Sequence, residues 1–112
     1  MKLPPGRQPF WVPNTNVFIA AAGQFIVQVE LSSLRSTDVE ITVEGHRLRI
    51  AGDRHNSTFA AAKTILVHEM QAGPFQSVLE VPPDYDPSHA HANYLNGVLS
   101  VIIPRADSVR RI

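Results

Sequence analysis

Cysteine is absent from this chain of 112 residues. That excludes disulfide staples and thiolate metal centres, and it fits a reducing compartment. An excess of one charge is missing too: ten Lys+Arg balance ten Asp+Glu, for a formal net charge of zero. Proteins that grip phosphate backbones draw much of their affinity from a basic surplus, so no nucleic-acid partner is expected. Neutrality also removes one barrier to self-association. No apolar run approaches the ~20 residues of a membrane span, and the opening "MKLPPGRQPF" lacks the apolar stretch of a secretion signal. The expectation is a cytoplasmic protein with no membrane role. Neither a glycine-rich phosphate loop nor a credible Ser/His/Asp set is found, so no enzyme activity, cofactor or metal is expected.

Sustained helical periodicity is lacking as well, and period-2 alternation takes its place. In "QFIVQVELSSL", Phe25, Val27, Val29 and Leu31 alternate with Gln24, Ile26, Gln28 and Glu30. Val39, Ile41 and Val43 alternate with Glu40, Thr42 and Glu44, Gly45-His46 turns the chain, and Leu48 and Ile50 alternate with Arg47 and Arg49. "NVFIAAAG", "FQSVLEVP", "AHANYL" and "VLSVIIP" add further short segments. Asn96-Gly97 supplies a two-residue turn, since both its central positions need positive φ. "TFAAAK" is at most a helical turn. The pattern predicts an all-β sandwich of seven or eight short strands. Pro4, Pro5, Pro9 and Pro13 rule out an opening helix.

Two features do not fit a plain sandwich. The last strand is apolar on both faces: Leu99, Val101 and Ile103 suit a core, while Val98 and Ile102 point the other way. A second apolar surface for binding other proteins or for self-assembly is one reading; scattered surface hydrophobes are the other. The stretch from Gly52 to Pro74 is also long for a structureless loop. It holds an apolar tetrapeptide, Thr64, Ile65, Leu66 and Val67. Burying such side chains is worth about 1.5–3 kcal/mol each, so the segment is expected to pair with a strand of its own sheet or of another chain.

The chain resembles the small heat-shock protein (α-crystallin domain) family over about residues 11–105. "WVP" near the start looks like the family's W-x-P, with Asn16 where Asp is common. The block from Phe25 to Arg54 keeps register through Asp38, Val39, Ile41, Val43, Leu48, Ile50, Gly52 and Arg54. Gly73-x-Phe75 and Pro82 resemble a later motif, and Ala92, Asn96, Gly97, Val98 and Leu99 followed by "IPR" resemble the family's signature. The resemblance implies an immunoglobulin-like β-sandwich of antiparallel strands that acts as an ATP-independent holdase, capturing apolar surface on unfolding client proteins, with release either passive or by hand-over to ATP-driven chaperones. It implies a homodimer like that of bacterial and plant members, in which the loop strand Thr64–Val67 is exchanged onto the partner's Asn16, Val17, Phe18 and Ile19. It also implies a groove between two edge strands, here Val39, Ile41 and Val43 on one side and Ala90 and Ala92 on the other. The corresponding division is an arm over residues 1–10, the domain over 11–104 and a tail over 105–112.

Departures modify these expectations. Ser32-Ser33 replaces the usual Pro-Gly link, and Glu69-Met70 replaces Glu-Arg. Ser77 stands where an arginine normally contributes to the dimer interface. Val109 and Ile112, three apart, would face opposite ways on an extended strand, unlike the family's I-x-I knob pair. A dimer or small oligomer is therefore expected in place of a large shell. Two rival classes stay open: a CS-domain-type co-chaperone, which lacks the long loop, and an interaction module without client binding. Other features read as ordinary surface. His89-x-His91 reads as exposed histidines, Asp84 and Asp86 as turn formers, and Asn56-Ser57-Thr58 as a chance sequon.

Overall fold

The computed structural model describes residues 10–55 and 61–109. Expectations placed on residues 1–9, on Asn56-Ser57-Thr58 and on Ile112 lie outside them. Seven strands are found among the described residues: β1 (Thr15–Ile19), β2 (Phe25–Glu30), β3 (Val39–Glu44), β4 (Arg47–Arg54), β5 (Gly73–Glu80), β6 (His91–Leu95) and β7 (Val98–Ile103). They form a four-stranded sheet ordered β1-β2-β7-β6 and a three-stranded sheet ordered β3-β4-β5. All strand pairs are antiparallel.

The alternation places the core. From β2, Phe25, Val27 and Val29 face inward, and β7 contributes Leu99, Val101 and Ile103. Opposite them stand Leu48 and Ile50 of β4 and Phe75 of β5, with Leu31, Val81 and Tyr85 closing the ends. Phe75, Leu31, Leu48 and Ile50 are each fully buried. At about 25 cal/mol per Å² of apolar area, this interior is the main favourable term in folding. Tilted ring pairs, Trp11 with Phe75 and Phe25 with Tyr85, both have centroids 5.4 Å apart.

The two outer faces differ in chemistry. On the three-stranded sheet, Arg49 reaches Glu40 at 3.5 Å and donates to Gln76 Oε1 at 2.9 Å, while Arg47 pairs with Glu80 at 3.2 Å. These exposed pairs add little stability, about 0–1 kcal/mol each. Their effect is to keep that face wet. The four-stranded sheet instead sets Phe18 opposite Ile26 and Ile26 opposite Ile102, an apolar row across three strands. Val98 and Ile102, the surplus hydrophobes of the last strand, are half-buried within this face.

Turn chemistry follows the sequence closely. Asn96 and Gly97 take φ of 52° and 81°, the positive pair the β6–β7 hairpin requires. Ser33 also sits at positive φ, 65°, so the Ser32-Ser33 link makes the turn without glycine. The hairpin tip rests on this link, with Leu31 N–H donating to Gly97 O at 2.8 Å. A short helix, α1 (Ala106–Val109), follows β7 and had no counterpart in the sequence reading.

Candidate functional site

A sandwich of two small sheets has two open sides, and both carry apolar surface here. On one side, the free edges of β3 and β6 flank a cleft of about 130 Å³. It is lined by Val39 and Ile41 from β3, by Ala92, Asn93 and Tyr94 from β6, and by Ser36 and Leu99. Of the five expected groove residues, Val39, Ile41 and Ala92 come together there. Val43 lies further along β3 and is exposed, and Ala90 precedes β6, half-buried against the core; neither lines the cleft. Tyr94 was missed, although it follows Ala92 by two residues and so shares its face of β6. Its hydroxyl donates to Leu31 O, a bond that fixes the ring as one wall.

On the other side, β1 is the free edge of the four-stranded sheet. Val17, Phe18 and Ile19 are 46%, 41% and 61% exposed, high values for residues of this type. Asn16 lies exposed on the same strand. An open strand with a greasy surface is a template for another strand. Thr64–Val67 pairs with no strand among the described residues of its own chain. Ile65 is 48%, Leu66 90% and Val67 72% exposed. Ser77, on the inner face of β5 opposite Ile50, is buried, so this position carries no charge toward the core.

The stems of the loop are held firmly. Arg54, the last residue of β4, donates from Nε and Nη2 to Gln71 O at 3.0 and 2.7 Å. Its guanidinium lies 4.5 Å from the centre of the Trp11 ring. Trp11 in turn donates from Nε1 to Gly73 O at 3.0 Å and forms a parallel bridge with Phe75 at the edge of β5. Nothing in local sequence spacing announces this cluster.

His89 and His91 are both exposed, as expected of surface histidines. His89 closes the helical turn Pro87–His89, while His91 opens β6. Among the described residues, no group of three His, Cys, Asp or Glu side chains is placed to hold a metal ion. Asp86 accepts from the Ser88 amide and hydroxyl, and it lies 2.9 Å from His89 Nδ1. This is a capped turn. The Ser88 hydroxyl, chiefly, holds the Asp86 carboxyl below its ordinary value. No helix of the described residues is long and apolar enough to cross a membrane.

Comparison with known proteins gives a consistent result. A family model described as the Hsp20/alpha crystallin family matches residues 18–112. Small heat shock protein C2 of Rickettsia felis is 25% identical over 96 residues, covering 86% of this chain and 62% of that protein. Spore protein SP21 of Stigmatella aurantiaca is 24% identical over 86 residues, covering 77% of this chain and 51% of its own length. This chain thus spans about half to three-fifths of those relatives. Among solved structures, a small heat-shock protein from Xylella fastidiosa superposes with a TM-score of 0.78 at 26% identity, over 93% of this chain and 96% of that one. The hspA protein of Xanthomonas axonopodis gives a TM-score of 0.78 at 22% identity, over 88% and 97% of the two chains, and shares the fold.

Proposed function

Because this chain belongs to the Hsp20/alpha crystallin family, whose members are chaperones and not enzymes, we propose that it is an ATP-independent holdase. It acts as a homodimer or small oligomer that takes up apolar segments of unfolding client proteins. The observation that carries the reading is the apolar surface left open at the sheet edges: Val17 and Ile19 on β1, Leu66 and Val67 in the loop, and the Val39–Ile41–Ala92 cleft.

The mechanism follows from the physics of those edges. Hydrophobic attraction is non-directional and scales with area, so it accepts many clients without reading their sequences. A free strand edge adds main-chain hydrogen bonds to any extended segment, and a side-chain cleft supplies an anchor. Capture by these means needs no nucleotide. Release is passive or passes the client to ATP-driven chaperones, in the cytoplasm. The dimer closes when Thr64–Val67 of each copy adds to Asn16–Ile19 of the other, an isologous exchange that covers both strips at once.

Heating an aggregation-prone enzyme with and without this protein, and following turbidity, tests the chaperone reading. Suppression at stoichiometric ratios is expected, together with its loss in Ala92→Glu, which puts a charge at an exposed position of the cleft. Unchanged turbidity at an excess of the chain would overturn the reading and leave an interaction module or a CS-type co-chaperone.

A further inference from the structure

We propose that Arg54 is the positioning residue of the exchanged loop, acting as a clamp that sets how far Thr64–Val67 extends from its own subunit. The proposal rests on the exchange reading above. The loop's entry and exit meet at one side chain: Arg54 ends β4, and its Nε and Nη2 grip Gln71 O, seventeen positions on, at 3.0 and 2.7 Å. Its Nη1 donates to Ser32 O at 3.3 Å, tying the stem to the β2–β3 link. The Trp11 ring covers the guanidinium at 4.5 Å. That ring is itself held by Nε1 donating to Gly73 O at 3.0 Å, while the Trp11 N–H donates to Pro74 O at 3.2 Å and the Trp11 carbonyl accepts from Gln76 N–H at 3.1 Å. The planar fork suits this task in a way a lysine ammonium does not.

The geometric consequence is a short tether. Only His68, Glu69 and Met70 separate Val67 from the clamped Gln71. At about 3.5 Å per residue, Val67 lies within ~14 Å of Gln71. Without the Arg54 side chain, the next backbone pairing toward β5 is at Gly73, which stands opposite Arg54. The reach then grows to ~21 Å, and the volume the strand samples grows about threefold. A larger volume lowers the effective concentration of the loop strand at the partner's edge. The clamp thus strengthens the dimer without touching the partner.

The chain's single tryptophan reports the clamp directly. Arg54→Ala is expected to change Trp11 emission in the folded protein and to raise the dimer dissociation constant about threefold or more, with faster subunit exchange. Arg54→Lys should fall between the two, and it serves as the test should Arg54→Ala fail to fold. Arg47→Ala, which removes an exposed ion pair on the outer face of β4, should change neither reading. A changed emission with dissociation and exchange unaltered overturns the proposal. Leu66→Asp separates the two levels. If it splits the dimer while Arg54→Ala and Arg54→Lys leave it intact, the clamp alone is refuted; if Leu66→Asp leaves the dimer intact, the exchange reading falls and the clamp with it.

Discussion

At Gly52 a single added methyl group has nowhere to go. A Cβ there would stand 2.5 Å from Asp38 O and 2.7 Å from Phe75 Cζ, one of them backbone and the other a fully buried ring. Neither neighbour is the loose end of a flexible side chain. Gly52→Ala is therefore expected to destabilise by about 3 kcal/mol, the upper range for overpacking, read as a lower urea midpoint. Asp86 gives a pH-dependent counterpart. Its carboxyl titrates below the ordinary 3.8 because Ser88 bonds the charged form. A depressed folded value means that its stabilisation is complete above pH 3.8 and fades as acid carries the pH through the lower value. Asp86→Ala should accordingly lower the unfolding midpoint at pH 7, with the deficit shrinking toward pH 3; a deficit that stays constant would contradict the assignment. Residues whose role is local were readable in advance, as Asn96-Gly97 was from its φ requirement. Arg54 and Tyr94 were not. Their partners lie far off in sequence, 63 positions in the case of Tyr94 and Leu31, and no periodicity encodes such contacts.

The strands were legible at the scale of elements because their side-chain alternation is a direct image of burial. β2 and β7 show it most clearly, each sending one parity into the core. Their pairing partners were less legible, since sheet order depends on which edges meet in space. The double apolar character of β7 now has a physical account. Its inner set, Leu99, Val101 and Ile103, fills the sandwich, while Ile102 lies beside Ile26 on the outer face. The two faces should respond differently to truncation. Val101→Ala is expected to cost about 2 kcal/mol through a buried void, against under ~1 kcal/mol for half-buried Ile102→Ala despite its larger loss of volume. Equal costs in chemical denaturation would show that the outer face is as tightly packed as the core. The loop segment Thr64–Val67 marks the opposite limit: its sequence asks for a strand, and its own chain provides none among the described residues.

For the whole molecule, exposed hydrophobes on β1 and in the loop are the counterpart of zero net charge, since both lower the cost of meeting another copy. An interface built from these side chains rests on area and strand hydrogen bonds, so raising salt from 0.05 to 0.5 M should scarcely weaken it. The absence of cysteine, which closed off disulfides at the outset, makes the decisive measurement clean. Copies carrying Ile65→Cys, Leu66→Cys or Val67→Cys are mixed with copies carrying Asn16→Cys, Val17→Cys or Phe18→Cys, oxidised, and weighed by mass spectrometry. A mixed disulfide dimer for at least one register is the predicted result, because paired strands bring Cβ atoms within bonding distance. No mixed dimer in any register, with the corresponding double variants closing the bond inside one chain, would contradict the account.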